Sequence, residues 1–445
     1  MKTSKESTIL TNILDPFQRF LKIEASGGII LLFFTAFALV WANSSLGHTY
    51  QKLWENYLTL GIGNFKLTDT ILHWVNDGLM AIFFFVVGLE IKRELIAGEL
   101  SSLKQASLPI AAALGGMIFP ALIYILVNTN NATEGGWGIP MATDIAFSLG
   151  VLSLLGKRVP ISLKVFLVAF AIVDDLGAVM VIALFYSGDI QWNYLLIGMA
   201  LYILLVLFNR LNIRYIPVYM VLGWVIWFMF KNSGIHPTIA GVMIAFSIPM
   251  NPRTKLSTFK DRMVNNLHAF APVQNKDRMT LTKEQLMAID NMEQEIEYVQ
   301  SPVQKLEHTL HHFVTYVVMP VFALTNAGVV FKASGIGEIF IHLSGTIELS
   351  LILGKVIGIF LFTWLSVKLG IGALPPTVKW IHILGLGFLG GMGFTMSLFI
   401  SNLAFSGPLL LDPAKIGILT GSLIAGILGY IILSITLDKS SAMDK

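Results

Sequence analysis

Long apolar runs, rather than short alternating patterns, dominate the distribution of hydrophobic and polar positions along the chain. A helix that crosses the hydrocarbon core of a bilayer needs about 20 mostly apolar residues, and twelve runs approach that length. They lie at 27–43, 71–91, 106–127, 138–155, 162–186, 193–209, 215–230, 235–250, 308–330, 347–367, 381–403 and 415–437. The pattern predicts an all-α membrane protein with twelve transmembrane helices.

The positions of lysine and arginine support this count. With twelve spans, both termini lie on one side of the membrane, and the segments on that side hold 24 of the 30 Lys and Arg residues. The opposite segments hold five, and the remaining one, Lys355, lies inside a run. Positive residues favour the cytoplasmic side of a membrane. We therefore expect both termini to be cytoplasmic.

The spans divide the chain into five regions. We predict a cytoplasmic N-terminal segment, eight spans, a cytoplasmic linker, four further spans and a cytoplasmic tail, at 1–26, 27–250, 251–305, 306–437 and 438–445. In the linker, Thr282 and Gln285 match a capping box, and apolar residues follow at helical spacing until Pro302. That pattern predicts an amphipathic helix. The simpler interpretation of its role is a passive linker that lies on the protein.

A short segment between the first two spans has a different pattern. Residues 57–69 alternate apolar and polar side chains around Gly63 and Asn64, as two strands joined by a tight turn do. We expect a small external β-hairpin here, with an ordinary loop as the alternative.

Composition narrows the class of protein. Of the 445 residues, 55% are hydrophobic and 13% are charged, against about 25% charged in a typical soluble protein. The net charge of +3, without basic clusters between aromatic residues, does not indicate nucleic-acid binding. The chain has no cysteine, which excludes disulfides, thiolate zinc sites and iron–sulfur clusters.

The first apolar run lacks a small-residue cleavage site, so we expect no cleavable signal peptide.

Two adjacent carboxylates lie in the middle of the fifth run. Asp174 and Asp175 interrupt the sequence VFLVAFAIVDDLGAVMVIALF, where each ionised aspartate costs about 2.5–3.5 kcal/mol on insertion scales. Neighbouring helical residues point about 100° apart, so one carboxylate can face a cavity while the other reaches a neighbouring helix. This predicts that one binds a cation and the other forms an ion pair. The alternative is a pair of buried, hydrogen-bonded acids without a function.

Two other runs contain residues that weaken a helix. The fourth reads GWGIPMATDIAFSLGVLSLL, with Pro140 shortly before Thr143 and Asp144, and the eleventh reads ILGLGFLGGMGFTMSLFIS, with five glycines. Backbone groups freed at a helix break need partners, and an ion can be one. Runs 3–5 and 10–12 start on opposite sides of the membrane, so they can form inverted repeats with matching interruptions. Such a pair indicates an ion site near the midplane, whereas close packing of small residues would explain one weak run alone.

Further charged residues lie within or beside the runs. Lys355 lies well inside the tenth run, where a buried lysine needs a carboxylate such as Asp174 or Asp175; snorkelling to the interface is the alternative. The second run begins near Asp77 and ends in a charged group, made up of Glu90, Lys92, Arg93 and Glu94. This group predicts either a solvated helix end with local ion pairs or an acidic mouth that attracts cations and senses pH.

Seven stretches of the chain together resemble the NhaA-type sodium/proton antiporter family. They are GLEIKREL at 88–95, ATDIAFSLGVL at 142–152, FLVAFAIVDDLGAV at 166–179, SGIHPTIAGV at 233–242, LEHTLHHFVTYVVMPVFALTNAGV at 306–329, GKVIGIFLF at 354–362 and GGMGFTMSLFI at 390–400. The resemblance implies inverted repeats in which spans four and eleven are discontinuous and cross each other. The relation between interrupted spans and midplane sites was drawn partly from this family, so the two arguments are not independent. The linker 251–305 is longer than the family leads us to expect.

The resemblance also implies roles for the buried polar residues. Asp174, Asp175 and Thr143 would form the ion-binding and exchange site, with Asp175 as the main sodium ligand and Asp174 as the partner of the lysine. Asp144 and Lys355 would compensate the partial charges of the helix ends that meet where the interrupted spans cross.

Residues outside this centre match other parts of the family pattern. Asp77 would lie on the cation route, and the hairpin 57–69 would form the contact of a homodimer. The residues that match the pH-response region are Glu90, Arg93, Glu94, His236, Glu307 and His308.

The expected function is electrogenic exchange of sodium or lithium for protons by alternating access. Sodium and protons would compete for the same carboxylates, so that sodium binding on one side releases protons and protons displace sodium on the other. Such a protein is not an enzyme and needs no cofactor. Its partners would be sodium, protons and membrane lipid, without nucleic acid. Its place would be the bacterial inner membrane, where it would serve pH and sodium homeostasis.

Three other functions fit parts of the pattern. An intramembrane aspartyl protease needs two aspartates that converge on one bond, whereas Asp174 and Asp175 diverge on one helix, and there is no G-x-G-D motif. A passive cation channel does not need two interrupted helices. A sodium-coupled symporter shares that feature but usually has polar space for a solute beside the sodium site. Coupling of protons to sodium distinguishes an antiporter from all three.

Overall fold

The computed structural model describes residues 26–63, 65–270, 280–330 and 338–437. Within these ranges the protein is mostly helical and contains one two-stranded antiparallel sheet. The N-terminal segment predicted at 1–26, apart from Ser26, and the tail predicted at 438–445 lie outside the described residues.

The described residues form sixteen α-helices, nine before the linker and seven from the linker onwards, and α3 is continuous over 71–97. Those before the linker are α1 (Ser26–Asn43), α2 (Gly47–Glu55), α3 (71–97), α4 (Leu103–Val127), α5 (Ile145–Leu154), α6 (Ile161–Phe185), α7 (Trp192–Arg210), α8 (Ile216–Ser233) and α9 (Thr238–Ser247). The later helices are α10 (Leu256–Leu267), α11 (Lys283–Val299), α12 (302–326), α13 (338–368), α14 (Trp380–Gly390), α15 (Phe394–Ala404) and α16 (Pro408–Thr436). Shorter 3₁₀ segments lie at Asn131–Met141, Gly156–Arg158 and His268–Phe270.

The apolar helices have the length that a membrane requires. Six in the described ranges are long and apolar enough to cross a bilayer: α1, α4, α6, α7, Phe340–Lys368 of α13, and α16. Two bent pairs raise the number to eight if each pair is one span. The four other predicted spans fall on α3, α8, α9 and α12. The structure thus confirms a multi-helix apolar protein, and the count of twelve stays a prediction.

Both predicted helix breaks are present. The 3₁₀ segment Asn131–Met141 and α5 are bent by 50° at 142–144, and α14 and α15 are bent by 44° at 391–393. The two breaks lie against each other, since the amide of Asp144 donates to the carbonyl of Met392 at 2.7 Å. A Cβ atom on Gly393 would lie 2.6 Å from the carbonyl oxygen of Ala142, so only glycine allows this approach.

The β-hairpin is also present. Strands β1 (Tyr57–Ile62) and β2 (Phe65–Thr70) pair antiparallel, from Tyr57 opposite Thr70 to Ile62 opposite Phe65. Gly63 in the turn has φ of +61°, a conformation that glycine adopts without strain.

The described part of the linker contains two helices, α10 and α11, where one was predicted. Thr282 and Gln285 form the expected capping box at the start of α11, and α10 packs against α11 through an ion pair between Arg262 and Glu295 (2.5 Å). The pattern of 256–267 was not identified as helical from the sequence; this helix has no buried residue, and its Leu256, Val264 and Leu267 are exposed.

Three long helices each contain a π-helical stretch. These stretches are Trp74–Leu79 in α3, Val314–Val318 in α12 and Ser350–Gly354 in α13. The first contains Asp77 and the last ends directly before Lys355. A π turn rotates the residues that follow it relative to a regular helix, and such turns are frequent at functional sites.

Candidate functional site

A buried ion pair joins α6 to α13. Lys355 Nζ lies 2.8 Å from Asp174 Oδ2, and both side chains are completely buried. The same ammonium donates to Thr143 Oγ1 at 2.9 Å, and Thr143 in turn donates to the carbonyl of Gly390 at 2.8 Å. Lys355 therefore contacts the carboxylate and, through Thr143, the C-terminal end of α14, where the helix dipole is negative.

Asp175 has a different environment from its neighbour. Its side chain is 2% exposed and borders a cavity of ≈ 60 Å³. Asp175 Oδ1 makes no hydrogen bond within the described part of the chain. A buried carboxylate oxygen without a donor is costly, so this atom is available to a proton or a cation. Asp174 thus forms the ion pair that was predicted for one of the two aspartates, and cation binding by Asp175 stays a prediction.

Asp144 caps two helices at once. Its Oδ1 accepts from the amide of Phe147, in the first turn of α5, at 3.1 Å. Its Oδ2 accepts from the amide of Thr395 (3.0 Å) and from Thr395 Oγ1 (2.5 Å), in the first turn of α15. Both N-terminal helix ends carry partial positive charge, and one carboxylate bonds to both of them where the breaks meet.

The cavity leads from the break region towards a charged cluster. Its lining includes Thr143, Asp144, Asp175 and Thr395 at the inner end. The charged residues at the other end are Glu90, Arg93 and His311. We refer to this side of the helix bundle as the Glu90 end.

The charged cluster at the Glu90 end joins α3 to α12. Arg93 forms ion pairs with Glu307 and with Glu94, the latter at 2.8 Å. His311 Nδ1 lies 3.3 Å from Glu90 Oε1. Glu307 lies one residue before the predicted span 308–330; burial raises its pKa to about 7, although Arg93 opposes the shift. Burial therefore holds the proton of Glu307 to a higher pH than a solvated glutamate would.

His311 of this cluster was not identified from the sequence. It lies one helical turn after Glu307, and this i,i+4 spacing could have placed both on one face. His308, which was predicted to belong to the pH-response region, is exposed, with its ring 5.8 Å from that of His312, and its role stays a prediction.

A second charged cluster lies at the opposite end of α3, which we call the Asp77 end. Lys231 Nζ lies 3.2 Å from Asp77 Oδ2 and 2.6 Å from Asp69 Oδ2 in β2. His236 Nε2 lies 3.7 Å from Asp77 Oδ1. The structure thus brings His236 together with Asp77 and not with Glu90, Arg93, Glu94 and Glu307. Lys231 and Asp69 were not identified from the sequence, because the sequence does not show which helix the hairpin contacts.

Comparison with known proteins covers nearly the whole chain. Residues 18–433 match the family described as Na⁺/H⁺ antiporter 1. The Na⁺/H⁺ antiporter NhaA of Oleidesulfovibrio alaskensis is 48% identical over 429 residues, which is 96% of this chain and 95% of that protein. The Na⁺/H⁺ antiporter NhaA 1 of Saccharophagus degradans is 46% identical over 94% of this chain and 91% of its own length. The Na⁺/H⁺ antiporter NhaA of Bacteroides fragilis is 48% identical over 92% of this chain and 95% of that protein.

Proposed function

The chain belongs to the Na⁺/H⁺ antiporter 1 family, and we propose that it exchanges Na⁺, and also Li⁺, for H⁺ across the bacterial inner membrane. The observation that carries this proposal is the contrast between Asp174 and Asp175. One carboxylate is held by Lys355 at 2.8 Å, whereas its neighbour lines the cavity. Oδ1 of each carboxylate makes no hydrogen bond within the described residues, so the contrast rests on the lysine and the cavity. Transport of this kind makes no covalent bond, so the protein is a transporter and not an enzyme, and the ions are substrates rather than cofactors.

The binding step uses the oxygen atoms at the inner end of the cavity. Asp175 supplies the main ligand, because a carboxylate is a hard oxygen donor that binds either a proton or an alkali cation. Thr143, which lines the same cavity, contributes beside it. Since both substrates need the same oxygen atoms, binding of Na⁺ expels the proton and binding of the proton expels Na⁺.

The ion pair supplies the second proton of the cycle. When Asp175 binds Na⁺, the Asp174–Lys355 pair releases a proton. The three ionisable groups lie close together in a water-poor interior, so a change of charge on one changes the proton affinity of the others. We propose that more than one proton is exchanged for each Na⁺, which makes the transport electrogenic.

Alternating access follows from the two helix breaks. We propose that spans four and eleven cross at 142–144 and 391–393 within inverted repeats of a twelve-span fold, and that Asp144 and Lys355 compensate the helix ends there. In this conformation the cavity reaches Asp175 from the Glu90 end. On the Asp77 side, Phe84 and Phe399 are fully buried with ring centroids 5.5 Å apart. A rocking motion would open this side and close the other.

We propose that the Glu90 end is cytoplasmic. Both termini and the linker 251–305 would then lie in the cytoplasm, as would the segments 1–26 and 438–445 that flank the spans 27–250 and 306–437, in accord with the positive-inside rule. Asp77 would lie on the external cation route, beside the hairpin 57–69 that forms the homodimer contact. The residues proposed for pH response are Glu90, Arg93, Glu94, His236, Glu307 and His308. Of these, the first three and Glu307 contact one another or line one cavity.

The test uses everted membrane vesicles from cells that lack other antiporters. Addition of Na⁺ should collapse a preformed pH gradient at values between about pH 6.5 and about pH 8.5, because Na⁺ and protons compete for the same carboxylate. Asp175→Asn should abolish the collapse, while Asp189→Asn, on an exposed loop after α6, should leave it unchanged. Full exchange by Asp175→Asn would overturn the assignment of the site. Absence of any collapse with the folded wild type would favour the symporter reading.

A further inference from the structure

A serine of the fourth span bonds to the end of the first half of the eleventh span. Ser148 lies on α5, one turn after Asp144, and its side chain is completely buried. Its hydroxyl donates to the carbonyl of Leu389 on α14 at 2.8 Å. Leu389 is the second-last residue of that helix, and its carbonyl also accepts from the amide of Met392 at 3.1 Å, just beyond the helix end.

A serine of the eleventh span makes the reciprocal contact. Ser397 lies on α15, four residues after Gly393, and is also completely buried. Its hydroxyl donates to the carbonyl of Ile139, near the end of the 3₁₀ segment Asn131–Met141, at 2.7 Å. In each case a serine on the second half of one interrupted span bonds to a carbonyl at the end of the first half of the other span.

We propose that Ser148 and Ser397 are positioning residues that keep the two breaks in register for Na⁺ binding. The proposal rests on the function proposed above, since the site that they position is Thr143, Asp144 and Asp175. Thr143 and Asp144 lie between Ile139 and Ser148 in the chain. The two serine bonds therefore fix both sides of the stretch that carries these residues. They add to the bonds of Thr143 with Gly390 and Lys355 and to the bond between the Asp144 amide and Met392.

The physical cost of losing either hydroxyl is large at this place. Loss of either hydroxyl removes one hydrogen bond from a buried carbonyl in a dry interior and favours rearrangement of the helix end. Because the interior is closely packed, displacement of a helix end shifts the groups attached to it. The first effect should be poorer placement of the Na⁺ ligands, and not loss of the overall fold.

Ser148→Ala and Ser397→Ala test this proposal against matched controls. Ser401 is equally buried on α15 but donates to Leu398 of its own helix at 2.8 Å. Ser153 on α5 donates to Gly150 of its own helix at 2.7 Å. Ser401→Ala and Ser153→Ala therefore remove a hydroxyl from the same helices without removing a contact between the spans.

We expect each of the two cross-span variants to raise the KM for Na⁺ about threefold to tenfold at constant pH, the equivalent of one hydrogen bond. The maximal rate should change less than about twofold, and the Kd of Na⁺ for the purified protein should rise by the same factor as KM. The two control variants should leave KM and Kd near the wild-type values.

The outcomes separate this proposal from the proposed function. If the wild type exchanges Na⁺ and both cross-span variants keep its KM and Kd, the serines do not position the site. A fall in thermal stability with unchanged KM and Kd would show a purely structural role and would also overturn the proposal. If the wild type neither binds nor exchanges Na⁺, the proposed function itself is wrong.

Discussion

The ammonium group of Lys355 lies 2.8 Å from Asp174 on a helix where Asp175, the next residue, faces a cavity. Two identical side chains that are adjacent in sequence therefore have different surroundings: one is paired with an ammonium group and the other borders a cavity. The difference arises because neighbouring helical residues point about 100° apart. One of them then meets α13, and the other meets the space between α3, α6 and α12. The lysine pairs with the charge of Asp174, and in the function proposed above the second carboxylate is the one that binds the ion.

Breaking this pair should destabilise the protein strongly. Lys355→Met leaves the carboxylate of Asp174 buried without its cation, which costs about 3–5 kcal/mol of the free energy of unfolding. Replacing both partners, by Lys355→Met together with Asp174→Leu, removes both charges and should restore much of that loss. Thermal unfolding of the purified variants in detergent checks the order of stability.

Exchange activity provides the companion measurement. Both the single and the double variant should lose exchange, because neither retains the shared proton. A single variant as stable as the wild type would show that the pair contributes little to the fold. A double variant less stable than the single variant would show that Lys355 and Asp174 act independently.

The chemistry of the centre could be predicted from the sequence because charge inside an apolar run is rare and costly. Asp174, Asp175, Lys355 and the breaks after Pro140 and near Gly391 all stand out in that way. Contacts at the ends of the bundle could not be predicted in the same way. There, charged residues are common, and their partners depend on which helices are neighbours.

His236 shows this limit clearly. The motif around it resembles the family pattern, but the motif does not show that its ring lies 3.7 Å from the carboxylate of Asp77. The π turn in Trp74–Leu79 contributes to this arrangement, because it changes the direction in which Asp77 points. Hydrophobic periodicity does not reveal one extra residue in a turn, and the same holds for the π turn before Lys355.

Glu307→Gln should change the pH dependence of exchange. Burial raises the pKa of Glu307 to about 7 in a cluster with Arg93, Glu90, Glu94 and His311. The carboxyl group thus becomes charged as pH rises through neutrality and strengthens the pair with Arg93. Glutamine stays neutral, so the variant should match the wild type near pH 6.5 and fall several-fold below it near pH 8. Rates of Na⁺-driven gradient collapse across this range check the result.

The free energy of unfolding should also depend on the ionisation of Glu307, and it should fall as pH rises. An unfolded glutamate releases its proton near 4.5, whereas the folded protein holds it to about 7. This group alone therefore lowers the free energy of unfolding as pH rises between these values, and the glutamine variant should lack that contribution. Glu297→Gln is the control, since Glu297 pairs with Lys305 on the surface at 2.6 Å. An unchanged pH profile in Glu307→Gln would remove Glu307 from the pH response.

Removal of the β-hairpin should give a monomer that still folds. The carbonyl of Asn56 accepts from the amide of Ile71 at 2.9 Å, so the two ends of the hairpin meet, and two glycines can replace 57–70 without displacing α3. We expect the dimer to be lost, as measured by light scattering in detergent, because exposed side chains such as Leu58 and Leu60 supply the proposed contact. Lys231→Met is the control: it removes the 2.6 Å pair with Asp69 but keeps the hairpin, so it should remain dimeric. A dimer that persists after the deletion would place the contact elsewhere. A monomeric Lys231→Met would show that the dimer depends on the ion pair that holds the hairpin in position, and not on the apolar surface of the strands alone.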